Sequence, residues 1–131
     1  MDMDNEPTPQ APVRMRIRLP MPSLVLTPNG RGHWAKKAKA VKAARCVAHW
    51  QTLQAGKPET LPTHYRLIYH WPTPRRRRDD DNCVAGAKSY MDGICTALGI
   101  DDRTLTLAGL EHDRSKPGQA GVTVEMWTQK S

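Results

Sequence analysis

Apolar residues follow two different periods along this chain, and the order of those periods limits the folds open to it. From Arg14 to Leu19, basic and apolar residues alternate strictly, which is typical of a β-strand with one face on a core. Between Val84 and Leu98, apolar residues recur at helical spacing, and Gly99 then supplies a natural C-terminal stop. The chain therefore combines strands with an amphipathic helix.

Four further segments complete the expected architecture. A helix rich in alanine and lysine is predicted from Ala35 to Gln54. Its predicted apolar stripe consists of Val41, Ala44, Val47 or Ala48, and Leu53. Strands are predicted at Leu61–Trp71, Thr104–Leu110 and Val122–Trp127. The order β-α-β-α-β-β predicts an α/β (α+β) domain with a small mixed sheet and two main helices, in which the second strand pairs with the first.

Charge and composition narrow the classes of partner. The 131-residue chain has a formal net charge of +7, which favours nucleic acid first and an anionic membrane surface second. No apolar run is long enough to cross a bilayer. Residues 1–13 hold three acids and three prolines and are expected to form a disordered tail rather than a signal peptide, which leaves residues 14–131 as the folded domain. Three cysteines without a Cys-x-x-Cys pair predict a reduced, cytoplasmic protein.

The most unusual stretch is a run of four arginines that leads directly into three aspartates. These residues are Arg75, Arg76, Arg77, Arg78, Asp79, Asp80 and Asp81. Like charges crowded this tightly repel, so the run suits a place where a polyanion and a divalent cation meet. Arginines bind phosphates through charge-assisted hydrogen bonds, and aspartates hold Mg²⁺ together with water and phosphate oxygens. In an extended backbone, Asp79 and Asp81 would share one side as metal ligands, and Asp80 would point away.

Other charged residues extend this candidate site. Asp102, alone or with Asp101, is the candidate third metal ligand. On the predicted helix, Asp81, Lys88 and Asp92 fall along one line, at spacings of seven and four. Lys88 leans towards Asp81 and could stabilise the leaving oxygen of a phosphodiester. The alternative is an ordinary surface pair between Lys88 and Asp92.

The first half of the helix predicted at 35–54 is strongly basic, with no acid between Arg31 and Arg45. Positive charge at a helix N-terminus is unfavourable with the helix dipole, so another role should favour it. We interpret this surface as a track for DNA phosphates, and a solvated helix face is the alternative. The candidate DNA-binding residues are therefore Lys36, Lys37, Lys39, Lys42, Arg75, Arg76, Arg77 and Arg78.

These residue types match the needs of phosphodiester hydrolysis, which are an activated water, neutralised phosphoryl charge and a stabilised leaving oxygen. One or two Mg²⁺ ions bound by clustered carboxylates can supply all three. The sequence contains no visible serine–histidine or cysteine–histidine constellation and no glycine-rich phosphate loop. A metal-dependent nuclease is the predicted class.

The segment from Arg75 to Asn82, the helix with Lys88, and the following Leu-Gly-Ile-Asp-Asp resemble the RusA family of Holliday junction resolvases, in particular its phage and prophage branch. The resemblance spans roughly Arg16 to Trp127. It implies a homodimeric endonuclease that depends on Mg²⁺, with Mn²⁺ as a substitute, and makes paired nicks in four-way DNA junctions. Asp79, Asp81 and Asp102 match the family's essential aspartates and Lys88 matches its lysine. That lysine follows the second motif aspartate by seven residues here and by four in the best-known member.

Two alternatives to a junction resolvase stay open: a nuclease for flaps or other branched DNA, and a non-catalytic DNA-binding protein. The geometry of the site also leaves a choice. A helix from Cys83 to Leu98 would be about 24 Å long, whereas residues 99–102 can return at most about 14 Å. Asp102 would then reach Asp79 and Asp81 either through a shorter, bent helix or across a two-fold dimer, in the partner's site.

Overall fold

The computed structural model describes residues 15–26, 34–72, 79–115 and 118–129. The predicted tail, residues 1–13, and the arginine run 75–78 lie outside the described residues. Within the described residues, no helix is long and apolar enough to span a membrane.

The described chain forms one mixed sheet with helices, which confirms the predicted α/β class. The strands are β1 (Met15–Leu19), β2 (His64–His70), β3 (Thr106–Asp113) and β4 (Gly121–Trp127). The helices are α1 (Trp34–Ala55), α2 (Asp80–Gly86) and α3 (Lys88–Leu98). Short 3₁₀ turns lie at Leu24–Leu26 and Asp102–Thr104.

The last strand, β4, lies in the middle of the sheet, whose order is β1-β4-β2-β3. It pairs antiparallel with both β1 and β2, and β2 pairs parallel with β3. Val124 stands opposite Ile17 on one side and Leu67 on the other. The predicted pairing of the first two strands is therefore wrong. The inward residues of β4 are fully buried; they are Val122, Val124 and Met126. A central place in the sheet, with a strand on each side, favours the burial of this apolar surface.

The core lies between one face of the sheet and the helices. Met15, Ile17 and Leu19 are buried as predicted, and Ile94 and Leu98 of α3 join the same cluster. The predicted stripe of α1 is correct at Ala44 and Ala48 but wrong at Leu53, which is half exposed. Thr52 is buried in its place, because its hydroxyl donates to the carbonyl of Ala48 (2.7 Å) and needs no other partner.

The second predicted helix is divided at Ala87, whose backbone angles are φ −88° and ψ −4°. Asp80 and Asp81 already belong to α2, so the expected extended conformation from Asp79 to Asp81 is wrong. Carboxylates in the first turn of a helix are stabilised by the helix dipole, which favours this early start. The hydroxyl of Tyr69 donates to the carbonyl of Cys83 (2.6 Å) and fastens α2 to the sheet.

The outer face of the sheet is held by ion pairs. Glu125 is only 7% exposed and accepts hydrogen bonds from Arg16 and Arg66, and Arg66 also pairs with Glu111. Burial alone would raise the pKa of Glu125, but the bonds from the two guanidinium groups lower it below the ordinary value. This face is therefore a polar layer fixed in place above the core.

Asp113 predicts a pH dependence of stability. Its carboxylate accepts from the hydroxyl and the backbone N–H of Ser115 and lies 3.1 Å from Nδ1 of His70, which lowers its pKa from 3.8 to about 2. A lowered folded pKa contributes stability that is complete above the unfolded pKa and is lost as the pH falls through the folded one. We expect the melting temperature to fall between about pH 4 and pH 2, and less steeply in Asp113→Asn, as measured by circular dichroism. Glu59→Gln is the control. Parallel curves for wild type and Asp113→Asn would contradict the prediction.

Candidate functional site

A cavity of about 190 Å³ lies beside the junction of α2 and α3. Lys88, Asp92 and Asp102 bring charge to it, and Tyr65 and Cys95 lie on its wall. Apolar side chains complete the lining. We call this space the central cavity. It places the predicted lysine and the predicted third aspartate together within one chain.

Two further cavities adjoin the central one. The first is lined by Arg45, Asp92 and Asp102, and the second by Lys37, Arg45, Lys88 and Asp92, among others. Asp92 lines all three cavities, so they adjoin one another at this residue. We call the three together the α1–α3 groove. Its lining includes cations from α1 and α3 as well as the carboxylates of Asp92 and Asp102.

Lys88 is the first residue of α3 and is exposed to the groove. The alternative reading of a surface pair with Asp92 is not observed among the described residues. Asp92 instead lies 3.5 Å from a guanidinium nitrogen of Arg45, at the long limit of a hydrogen bond. Lys88 therefore lines the groove, and no ion pair ties its ammonium to a carboxylate in the described part of the chain.

The two acids after α3 have different surroundings. Asp101 accepts from the backbone N–H of Arg103 (2.9 Å) and from its guanidinium (3.0 Å). These bonds from Arg103 lower the pKa of Asp101 and tie its carboxylate to the 3₁₀ turn. Asp102 lines the central cavity. Of the two candidate ligands, Asp102 is the one that faces the groove.

The acids at the start of α2 stand at the end of the groove. Asp81 lies four residues before Ala85, a residue of the central cavity, and so occupies the same face one turn away. Asp80 points elsewhere, since its carboxylate lies 2.9 Å from Nε2 of His112. Asp79 is the N-cap residue of α2, but its side chain makes no capping hydrogen bond. Neither Asp79 nor Asp81 lines the three cavities.

The site can be tested for its fit to a divalent cation. Across residues 15–26, 34–72, 79–115 and 118–129, no group of three or more aspartate, glutamate, histidine or cysteine side chains is placed to hold a metal ion. A single ion shared by Asp79, Asp81 and Asp102 therefore stays a prediction from the sequence. Asp92 and Asp102 do border the same cavity. Because Mg²⁺ commonly takes one or two carboxylates plus water and phosphate oxygens, this pair fits it.

The effect of the carboxylates on their neighbours is the second sign that the site fits a divalent cation. Burial raises the pKa of the Cys95 thiol, and the nearby charges of Asp102 and Asp92 raise it further, to about 11. The pKa of Tyr65 is raised by burial first and then by Cys95 and Asp102. The carboxylates thus impose a negative potential on the central cavity that a cation would relieve. A thiol with this pKa stays protonated at neutral pH, so Cys95 is no nucleophile.

The candidate DNA-binding lysines on α1 are all exposed. Lys37 also lines the groove, which links the basic surface to the carboxylates. Asp92 was placed in line with Lys88 by its spacing in the sequence, whereas the sequence assigned no role beside the carboxylates to Arg45 or Tyr65. These two reach the groove only through the packing of α1 and β2 around α3.

Comparison with known proteins gives a family but no activity. No family model matches the chain. An uncharacterized protein of Xylella fastidiosa strain Temecula1 is 42% identical over 120 residues, which cover 88% of this chain and 78% of the Xylella protein. The chain belongs to the family of that protein. The match covers most of both chains.

Proposed function

We propose that the protein is a Mg²⁺-dependent endonuclease for branched DNA, with the four-way junction as its substrate. One observation carries the proposal: the carboxylates of Asp92 and Asp102 share a cavity with the ammonium of Lys88, beside a basic helix. Carboxylates for a metal, a cation for a leaving oxygen and cations for a phosphate backbone form a set suited to phosphodiester hydrolysis.

Each residue has a separate task in this proposal. Asp102 and Asp92 hold Mg²⁺, which supplies an activated water and neutralises phosphoryl charge when bound. Lys88 offers its ammonium to the leaving oxygen from the start of α3. Asp81, one turn above Ala85, meets the substrate phosphate or a further ion at the end of the groove. Arg45 holds Asp92 from the opposite helix at 3.5 Å.

DNA binding rests on the cations of α1. Lys36, Lys37, Lys39 and Lys42 lie exposed within two turns and can neutralise successive phosphates. The carboxylates of the groove repel the same phosphates until a divalent cation offsets their charge. Binding and cleavage are therefore carried by different groups, and we expect them to be separable.

The resemblance of Arg75–Asn82 and Lys88 to RusA resolvases supports the choice of a four-way junction over other branched DNA. It also supports a homodimer, because a junction offers two symmetric strands to two copies of one site. In such a dimer Asp102 serves its own chain's cavity, where Lys88 and Asp92 already lie.

The test compares a labelled four-way junction with a linear duplex of the same sequence. We expect symmetric nicks in the junction alone with Mg²⁺ or Mn²⁺, and no cleavage in EDTA. Preferred cleavage of flaps would favour a nuclease for other branched DNA. Tight binding without cleavage under any divalent metal would favour a non-catalytic DNA-binding protein and overturn the proposal.

A further inference from the structure

Helix α1 carries two strongly exposed tryptophans. Trp34 is 75% exposed and Trp50 is 62% exposed, whereas Trp71 and Trp127 are buried. Trp34 and Trp50 are sixteen residues apart, so at about 100° per residue they point about 160° apart around the helix. The two indoles therefore lie on different faces of α1.

Trp34 lies on the face that borders the groove. Lys37, Val41 and Arg45 line the groove and follow Trp34 by three, seven and eleven residues. On an α-helix these four positions fall within about 80° of one another. Trp34 thus extends the wall of the groove by one turn beyond Lys37, and Trp50 points away from it.

The side chains at this end of the groove suit the two parts of a nucleotide, its base and its phosphate. An exposed indole is a flat apolar surface that can stack on any base, and Lys37, one turn along the same face, can neutralise an attached phosphate. In a continuous duplex the base faces are already covered by their neighbours. A base face becomes available only where the helix is interrupted, as at a branch point.

We propose that Trp34 stacks on a base exposed at the branch point and so determines the preference for branched over linear DNA. This inference rests on the proposed function, because it assumes that the groove receives DNA. Hydrolysis by the carboxylates and selection by Trp34 are then separate steps at the two ends of one groove.

Binding in EDTA, where no strand is cut, tests the inference. Trp34→Ala should weaken junction binding about tenfold and leave linear-duplex binding within about twofold, since stacking is lost and the lysines stay. Trp34→Phe keeps an aromatic face and should recover most of the affinity. Trp50→Ala removes an indole that is also strongly exposed but points about 160° away from Trp34, and it should bind as wild type does.

Fluorescence gives an independent readout. In a Trp50→Phe background, Trp34 is the exposed tryptophan of the described chain, and junction DNA should quench its emission while linear duplex does not. Equal quenching by both, or equal loss of both affinities in Trp34→Ala, overturns the stacking role. A changed sedimentation coefficient of Trp34→Ala also overturns it and assigns Trp34 to a protein interface.

The two proposals fail differently. A wild-type protein that cuts junctions while Trp34→Ala keeps the wild-type ratio of affinities leaves the nuclease intact and removes Trp34 from recognition. A wild-type protein that neither binds nor cuts branched DNA overturns the proposed function, and the role of Trp34 falls with it.

Discussion

Asp102→Asn is expected to lower the rate of junction cleavage by about 10²- to 10³-fold and to leave junction binding intact. The substitution keeps the shape of the side chain but removes one of the negative charges that line the central cavity together with Lys88. Loss of one group directed at the reacting phosphate typically has an effect of this size. Binding in EDTA should persist or tighten, because the lysines of α1 are unchanged and one carboxylate that repels the phosphates is gone. Single-turnover cleavage and binding in EDTA measure the two effects separately.

The position of Asp102 can be checked without reference to cleavage. Its charge is the second cause, after burial, of the raised pKa of Cys95. Asp102→Asn should therefore lower that pKa and speed the reaction of Cys95 with a thiol reagent at alkaline pH. A Cys46→Ser background removes the exposed thiol. An unchanged pH dependence of this reaction would contradict a position of Asp102 beside Cys95.

Glu111→Gln is the matched control for the loss of charge. Glu111 pairs with Arg66 on the outer face of the sheet, away from the groove, and its side chain is 54% exposed. Removing this carboxylate should leave cleavage within about twofold, since exposed ion pairs contribute little to stability. If Glu111→Gln and Asp102→Asn lose activity alike, the cause is net charge and not the central cavity.

The periodicity of the apolar residues predicted where the strands and helices lie better than it predicted which strands pair. Alternation in β1 correctly identified Ile17 as a core residue, because the side-chain period of a strand depends on local geometry alone. It could not show that β4 separates β1 from β2, since pairing depends on which strand offers apolar surface on both sides. Likewise Leu53 was a reasonable core candidate, but the buried position is Thr52, which satisfies its own hydroxyl within the helix.

The candidate site was predictable where it is local in sequence. Lys88 and Asp102 were proposed from motif spacing, and the structure brings both to one cavity. Their supporting residue Arg45 was not proposed, because it lies 47 residues from Asp92 and reaches it only through helix packing. The different surroundings of Asp101 and Asp102 could not be predicted from the sequence, where both are aspartates of equal charge. The 3₁₀ turn places the guanidinium of Arg103 beside Asp101.

The packing of α1 against α3 leads to the second prediction with a large expected effect. Gly93 of α3 lies buried against α1, where an added Cβ would collide with the backbone carbonyl oxygen of Arg45 and come within 3.1 Å of Cβ of Ala48. A backbone atom in the middle of a helix cannot move alone, so Gly93→Ala must push α1 and α3 apart. We expect the free energy of unfolding to fall by about 3 kcal/mol, at the upper end of the cost of overpacking.

The better helix propensity of alanine offsets about 1 kcal/mol of the collision, so a measured loss understates the strain. Gly109→Ala is the control, because its Cβ would meet only flexible carbons of Arg66 at 3.7 and 3.8 Å. Urea denaturation should give a lower midpoint for Gly93→Ala at an unchanged slope, and a change of less than about 1 kcal/mol for Gly109→Ala. Because Arg45 stands at the point of contact, Gly93→Ala should also weaken its hold on Asp92 and lower cleavage below the level expected from the folded fraction. Equal midpoints for Gly93→Ala and wild type would mean that α1 and α3 do not meet at Gly93, and the groove they form would lose its basis.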